Sequence, residues 1–368
     1  MGERGLDVLD KYDVMVQRTS KVRGAILLET DKGAFLLKEF KGKEARVEME
    51  AGILNALAEK ICVETYIKNA EGSFVTESEE GIKYIVKTWH EGHECNVRDI
   101  KEVCLAVRML GWLHYELNDM EDKGALEDCI HEIKSKEESV SEEDGREKDC
   151  ASDSGGLDRQ DKNIYADKTV QPAEALSDLF WRHNRELKRV RTYIKGRKSK
   201  NSFERLVMDS FSMFNENAEQ ALKIVLKSEP VVPIRWCHGE FSHHHVVLGT
   251  RVNVITEFSH MHKGVQVEDL YYFARKVLEK NRWDLKIGKS IFDAYNSVRQ
   301  ISQEEWDYLY LMFLYPEKYW KQLNYYYNSN KAWIPEKNVD KLKAVVNQQP
   351  AREMFLESLK NKTSFIIH

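Results

Sequence analysis

Cysteine and proline are scarce: six of each in 368 residues. The cysteines (Cys62, Cys95, Cys104, Cys129, Cys150 and Cys237) contain no C-x-x-C pair, and a chain this long buries enough core to need no disulfide staples. They read as reduced thiols, which excludes a cysteine-built zinc or disulfide scaffold. No stretch approaches the roughly 18 consecutive apolar residues of a membrane helix, and Met1 to Asp10 lacks the apolar run of an export signal. Cytoplasmic synthesis without membrane insertion is expected. Leu6 stands where a myristoylation signal needs Ser or Thr, so acylation is not expected. Nor does one sign of charge dominate: 56 Lys and Arg face 61 Asp and Glu, a net of −5, which argues against a general nucleic-acid binder. What remains is a globular composition, 42% hydrophobic and 32% charged, long enough for about two domains.

The apolar runs Val14 to Thr19, Gly24 to Thr30 and Gly33 to Phe40 predict an antiparallel meander, with a hairpin turn at Asp31-Lys32-Gly33. Val47, Ile53, Leu54 and Leu57 recur at helical spacing between Lys43 and Glu59, and two further strands follow at Ser73 to Thr76 and Ile82 to Thr88. The expected first domain, residues 1–90, is therefore a five-stranded sheet with one helix. Residues 91–368 read as mostly helical, beginning with the apolar stripe Ile100, Val103, Cys104, Val107, Leu110. Within them, residues 134–162 hold ten acidic and six basic residues and little to bury, so a disordered acidic insertion is expected. Leu176 to Lys200 predicts a very basic helix, Phe203 to Leu226 an amphipathic one, and Val246 to Phe258 a hairpin turning at Gly249-Thr250.

Chemistry concentrates in His238-Gly239-Glu240-Phe241-Ser242-His243-His244-His245 and, one hairpin later, Ile255-Thr256-Glu257-Phe258. An acid on a loop, a metal-capable side chain five residues on and a second acid at a hairpin end suit phosphoryl transfer, which needs a base and metal ligands more than covalent chemistry. Histidines supply a competing reading, since His243, His244 and His245 with His260 and His262 offer imidazoles to Zn²⁺ or Mn²⁺.

The order of these motifs resembles the protein-kinase-like superfamily of aminoglycoside phosphotransferases and choline kinases, whose loop reads H-G-D-L-x-x-x-N and whose second motif reads I-D-F or I-D-W. Within it the chain is most similar to CotS-type spore coat proteins of endospore-forming bacteria. Leu36-Leu37-Lys38 resembles the strand carrying the ATP-phosphate lysine, and Glu50 the helix glutamate that pairs with it. Leu110-Gly111-Trp112-Leu113-His114, Glu268-Asp269-Leu270 and Tyr315-Pro316-Glu317-Lys318-Tyr319-Trp320 resemble further elements of the pattern. The resemblance implies a two-lobed α+β kinase-like fold, with a small antiparallel-sheet lobe and a larger mostly helical one. It also implies ATP with Mg²⁺ or Mn²⁺ as cofactors, His238 as a loop brace, Glu240 at the base position, and His245 and Glu257 at the metal positions.

Three of these positions depart from the pattern. Glu240 replaces an Asp, and its extra methylene moves the carboxylate by about 1 Å, enough to cost on the order of 100-fold in rate. His245 replaces an Asn and offers nitrogen to a hard ion that prefers oxygen. Glu257 replaces the principal metal Asp, with Thr256 taking its place if the register shifts by one. The expectation is a spore coat component with a degraded kinase site, made in the mother cell and recruited by other coat proteins. The alternatives are an active ATP-dependent phosphotransferase on a small hydroxylated molecule or coat protein, and a nucleotide-binding switch.

Overall fold

The structure, a computed structural model, describes residues 5–22, 24–126, 174–328 and 336–365. The acidic stretch 134–162 lies outside them. The chain forms two compact units, each discontinuous in sequence: Met1–Cys95, Trp112–Gln171 and His238–His262 make the first, and Asn96–Gly111, Pro172–Cys237 and Lys263–His368 the second. Residues 238–262, with their motif, belong to the first unit.

That unit is built on β1 (Val16–Val22), β2 (Ala25–Thr30), β3 (Gly33–Glu39), β4 (Tyr66–Ile67), β5 (Val75–Glu77) and β6 (Lys83–Thr88), with α1 (Glu44–Ala58) between β3 and β4. The sheet runs β1-β2-β3-β6-β4, with β5 also on β6. The sixth strand beyond the expected five is β4, whose two residues are too short to show any alternation. The β2–β3 hairpin turns where expected, with Thr30 opposite Gly33.

Register decides which side chains share a face. Leu36 lies opposite Lys87 and Lys38 opposite Ile85, so Lys38 and Lys87 point the same way. The alternate residues Leu37 and Val86 join Leu28 and Tyr84 on the other face, under Val8 and Tyr12 from the chain start. Sequence periodicity missed that cover, because Leu6–Lys11 is a single 3₁₀ segment. A three-stranded sheet of His93–Glu94, Val246–Leu248 and Asn253–Ile255 completes the first unit. Its hairpin pairs Leu248 with Asn253.

The second unit is helical. Leu176–Gly196 buries Phe180, Leu187, Val190 and Ile194, and Ser202–Lys227 starts with a capping box between Asn201 and Glu204. Gln303–Leu314 carries a second box, Ser302 with Glu305. It stops before Pro316, whose ring nitrogen has no hydrogen to donate. Arg352, from Gln349–Lys360, closes that end by donating to the carbonyls of Phe313, Leu314 and Tyr315 at 2.5, 2.8 and 3.3 Å. Among the described residues no helix is long and apolar enough to cross a membrane.

Candidate functional site

The loop after Cys237 is pinned by His238, which is wholly buried. Its Nε2–H donates to the Thr256 carbonyl at 3.1 Å and its Nδ1 accepts the Glu240 backbone N–H at 3.3 Å. These two bonds fix one tautomer and tie the loop to the hairpin end. Gly239 sits at φ +85°, and a Cβ there would lie 2.0 Å from the His260 carbonyl oxygen, so the close approach of the two loops requires glycine.

Glu240 extends to the surface, its side chain 52% exposed and its Oε2 3.3 Å from His260 Nε2. His245 Nδ1–H donates to the Glu240 carbonyl at 2.8 Å. His243, His244 and His245 occupy one 3₁₀ turn, and His244 pairs with Glu94. The His243 and His244 rings lie against each other, centroids 3.9 Å apart, whereas the His245 ring stacks toward His238 at 6.0 Å and bonds the Glu240 carbonyl. Among the described residues no group of three or more His, Cys, Asp or Glu side chains is arranged to hold a metal.

Glu257 adopts left-handed backbone geometry, φ 64°. Its amide donates to Glu64 Oε1 at 2.7 Å, as does that of Phe258 at 3.3 Å. Lys38 Nζ reaches both Glu257 oxygens at 3.1 and 2.9 Å, and the Ser259 hydroxyl donates to Oε1 at 2.6 Å. Glu64 also receives Lys87 Nζ at 2.8 Å. Burial alone would raise the Glu257 pKa, but Lys87, then Lys38 and Ser259 hold it down at about 2. For Lys87 burial favours the neutral amine, yet Glu64, Tyr66, Glu257 and Glu50 outweigh it and raise its pKa well above the ordinary lysine value.

Glu50 stands apart from the expected arrangement. Its Oε1 accepts from Arg46 Nε at 2.9 Å and its Oε2 from the Tyr66 hydroxyl at 2.6 Å, while Lys38 is on Glu257. Arg46, one helical turn before Glu50, takes the carboxylate first, and also holds the Ser259 and Met261 carbonyls at 2.7 and 3.1 Å. Burial raises the Glu50 pKa, against Lys87, Tyr66 and Arg46. Lys38, Arg46 and Lys87 thus meet Glu50, Glu64 and Glu257, three cations to three carboxylates. All of these but Glu64 line, with Gly239 and His260, a cleft that encloses about 1380 Å³ counting its open mouth.

Sequence reasoning named Lys38, Glu50 and Glu257 but missed Arg46, Glu64, Tyr66, Lys87 and Ser259. Two signals were available: the i, i+4 spacing of Arg46 and Glu50, and Lys87 directly after the apolar run Tyr84 to Val86 of β6.

The donor set fits Mg²⁺ poorly. Glu257's oxygens already accept from an ammonium and a hydroxyl, two lysines repel a divalent cation there, and His245 is not among the residues that line the cleft.

Because Glu257 is held down, its ionised form stabilises the fold fully above its unfolded pKa of 4.5, and that contribution is lost as pH falls from there toward about 2. The urea midpoint of the wild type should therefore exceed that of Glu257→Gln at pH 7, and the gap should close between pH 4.5 and 2. A gap independent of pH would remove the carboxylate charge as its cause.

The family model described as "Spore coat putative kinase YutH" matches residues 177–359. No curated protein matches the chain in sequence. Among solved structures, an aminoglycoside phosphotransferase from Alicyclobacillus acidocaldarius superposes with TM-score 0.74 at 15% identity, over 96% of this chain and 95% of that one. Spectinomycin phosphotransferase APH(9)-Ia, solved with ADP and spectinomycin, gives 0.54 at 11% identity over 94% and 96%. Wild-type aminoglycoside 2'-phosphotransferase-IIIa, solved with GDP, gives 0.52 at 10% identity over 93% and 97%. The chain accordingly has the α+β kinase-like fold of the aminoglycoside phosphotransferases and, over residues 177–359, matches the spore coat kinase-like family.

Proposed function

We propose that this protein is a kinase-fold component of the bacterial spore coat whose phosphoryl-transfer site is closed by its own charges. It would be made in the mother cell and recruited by other coat proteins. The observation that carries the reading is the balanced cluster of Lys38, Arg46 and Lys87 with Glu50, Glu64 and Glu257. ATP needs an uncommitted cation for its phosphates, and Mg²⁺ needs uncommitted carboxylate oxygens. Lys38 and Glu257 satisfy each other instead. Glu240 supports the same view, since its carboxylate sits on His260 at the surface. His238 serves as the brace of the loop.

Thermal unfolding with ATP, in Mg²⁺, Mn²⁺ or chelator, tests this. The wild type should show no shift. Glu257→Gln, which keeps the shape and removes the charge, should release Lys38 and give an ATP-dependent rise of several degrees, because ligand at about 100 times its Kd stabilises by roughly 2.7 kcal/mol. A metal-dependent shift of the wild type with phosphate transfer would sink the reading in favour of an active kinase. Glu240 would then be the base, Lys38 the phosphate ligand, and Glu240→Gln inactive. A wild-type shift without transfer would point to a nucleotide-binding switch.

A further inference from the structure

The helix Leu176–Gly196 faces the core with Phe180, His183, Leu187, Val190 and Ile194, and turns a run of basic residues outward. Three of these have carboxylate partners: Arg182 with Glu174, Lys188 with Glu219 at 2.8 Å, and Arg197, just past the helix, with Glu204 at 3.0 Å. Among the described residues, Arg185, Arg189, Arg191, Lys195 and Lys198 have none within ion-pair distance, and all five are exposed. At about 1.5 Å per residue, Arg185 to Lys195 spans about 15 Å along the helix.

Two aromatic side chains lie in the same patch, Trp181 and Tyr193, 52% and 50% exposed. Each ring is engaged by the chain itself. The Arg185 guanidinium lies 4.5 Å from the Trp181 ring centroid and that of Arg197 5.8 Å from the Tyr193 centroid, with Tyr327 edge-on to Tyr193. Rings so covered make poor platforms for stacked bases, whereas the Arg185 guanidinium fixed on Trp181 is preorganised for bidentate contact with a carboxylate.

We propose that this face docks an acidic polypeptide segment of a partner protein, its Asp and Glu carboxylates meeting Arg185, Arg189 and Lys195. The assignment is independent of the cleft and of whether nucleotide binds there.

The test uses the full chain and a fluorescein-labelled 12-residue Glu-Ser repeat peptide, followed by anisotropy. Binding should weaken by at least about tenfold between 50 and 200 mM salt, as expected of several exposed ion pairs. Replacing Arg185, Arg189 and Lys195 together by Glu should weaken it by at least about tenfold at low salt. The same change at Lys286, Lys337 and Lys341, exposed elsewhere in the second unit, should leave it intact. All three proteins should share one unfolding midpoint, and a fall confined to the first variant is answered by the milder Arg185→Gln with Arg189→Gln. No binding by the wild type, equal loss in both charge reversals, or tighter binding of a 12-nucleotide single strand would each overturn the proposal. So would binding that emerges only when the acidic residues between 134 and 162 are neutralised, which would assign the face to the chain's own acidic stretch.

Discussion

Replacing Lys87 by Met should cost about 3–5 kcal/mol, the scale for removing one partner of a buried ion pair. The Lys87 side chain is 2% exposed and that of Glu64 6%, with 2.8 Å between Nζ and Oε1. Methionine fills the space of the aliphatic stem but removes the charge that Glu64, Glu257 and Glu50 share. It also removes the ammonium 4.6 Å from the Tyr66 ring centroid. The consequence is more than local, because Glu64 is also the acceptor for the amides of Glu257 and Phe258. A carboxylate left without its lysine protonates or draws in water, and the left-handed turn at Glu257 loses its anchor. At about 2–4 °C per kcal/mol, the unfolding temperature should fall by on the order of 10 °C.

Adding Glu64→Gln should restore part of that loss, since the amide oxygen still accepts from Glu257 while carrying no charge to bury. The double-mutant cycle therefore reads out the pair itself. A single Lys87→Met variant within about 1 kcal/mol of wild type would mean that the cluster is screened by solvent and holds nothing in place.

In the second unit the largest loss is expected at Arg352. Its guanidinium donates to three successive carbonyls at the end of Gln303–Leu314 and to Gln349 Oε1 at 3.2 Å. The Tyr315 carbonyl also accepts the Glu317 amide at 2.8 Å, so Arg352 matters most to the Phe313 and Leu314 oxygens, at a helix end where Pro316 immediately downstream brings no N–H. Burial lowers the Arg352 pKa to about 10, so the group is still a cation at pH 7 and the carbonyl dipoles are what receive it. Arg352→Met takes this donor from the Phe313 and Leu314 oxygens at about 1–3 kcal/mol for each that water cannot reach, and an overall loss of about 3 kcal/mol is expected. Arg352→Lys should recover only part, because one ammonium cannot reproduce a planar fork reaching three acceptors. Chemical unfolding of the three proteins checks this, and a Met variant as stable as the wild type would show that the helix end is satisfied by other donors.

Much of the molecule was legible from residue order. The β2–β3 turn, the helix between β3 and β4, the basic helix and the hairpin at Gly249-Thr250 all follow from periodicity and turn chemistry, which act between neighbours a few residues apart. Short pieces escaped for the same reason: Tyr66–Ile67 and Leu6–Lys11 hold too few residues for a period to show.

The candidate site divides along that line. Glu240, His245 and Glu257 could be singled out because a contiguous motif carries them, and His238 because it opens that motif. Which charge meets which could not. Lys38 and Glu257 are 219 positions apart, and Glu64 is 193 from the amide it accepts. Their pairing depends on strand register placing Lys38 and Lys87 on one face, on a left-handed residue at 257, and on Arg46 reaching Glu50 first. Residue order by itself determined the succession of strands and helices and, set beside the family motif it resembles, the departures at Glu240, His245 and Glu257, because both are written in short-range pattern. Only the tertiary structure decided that the charges cancel one another, because electrostatic partnership depends on distance and burial rather than on place in the chain.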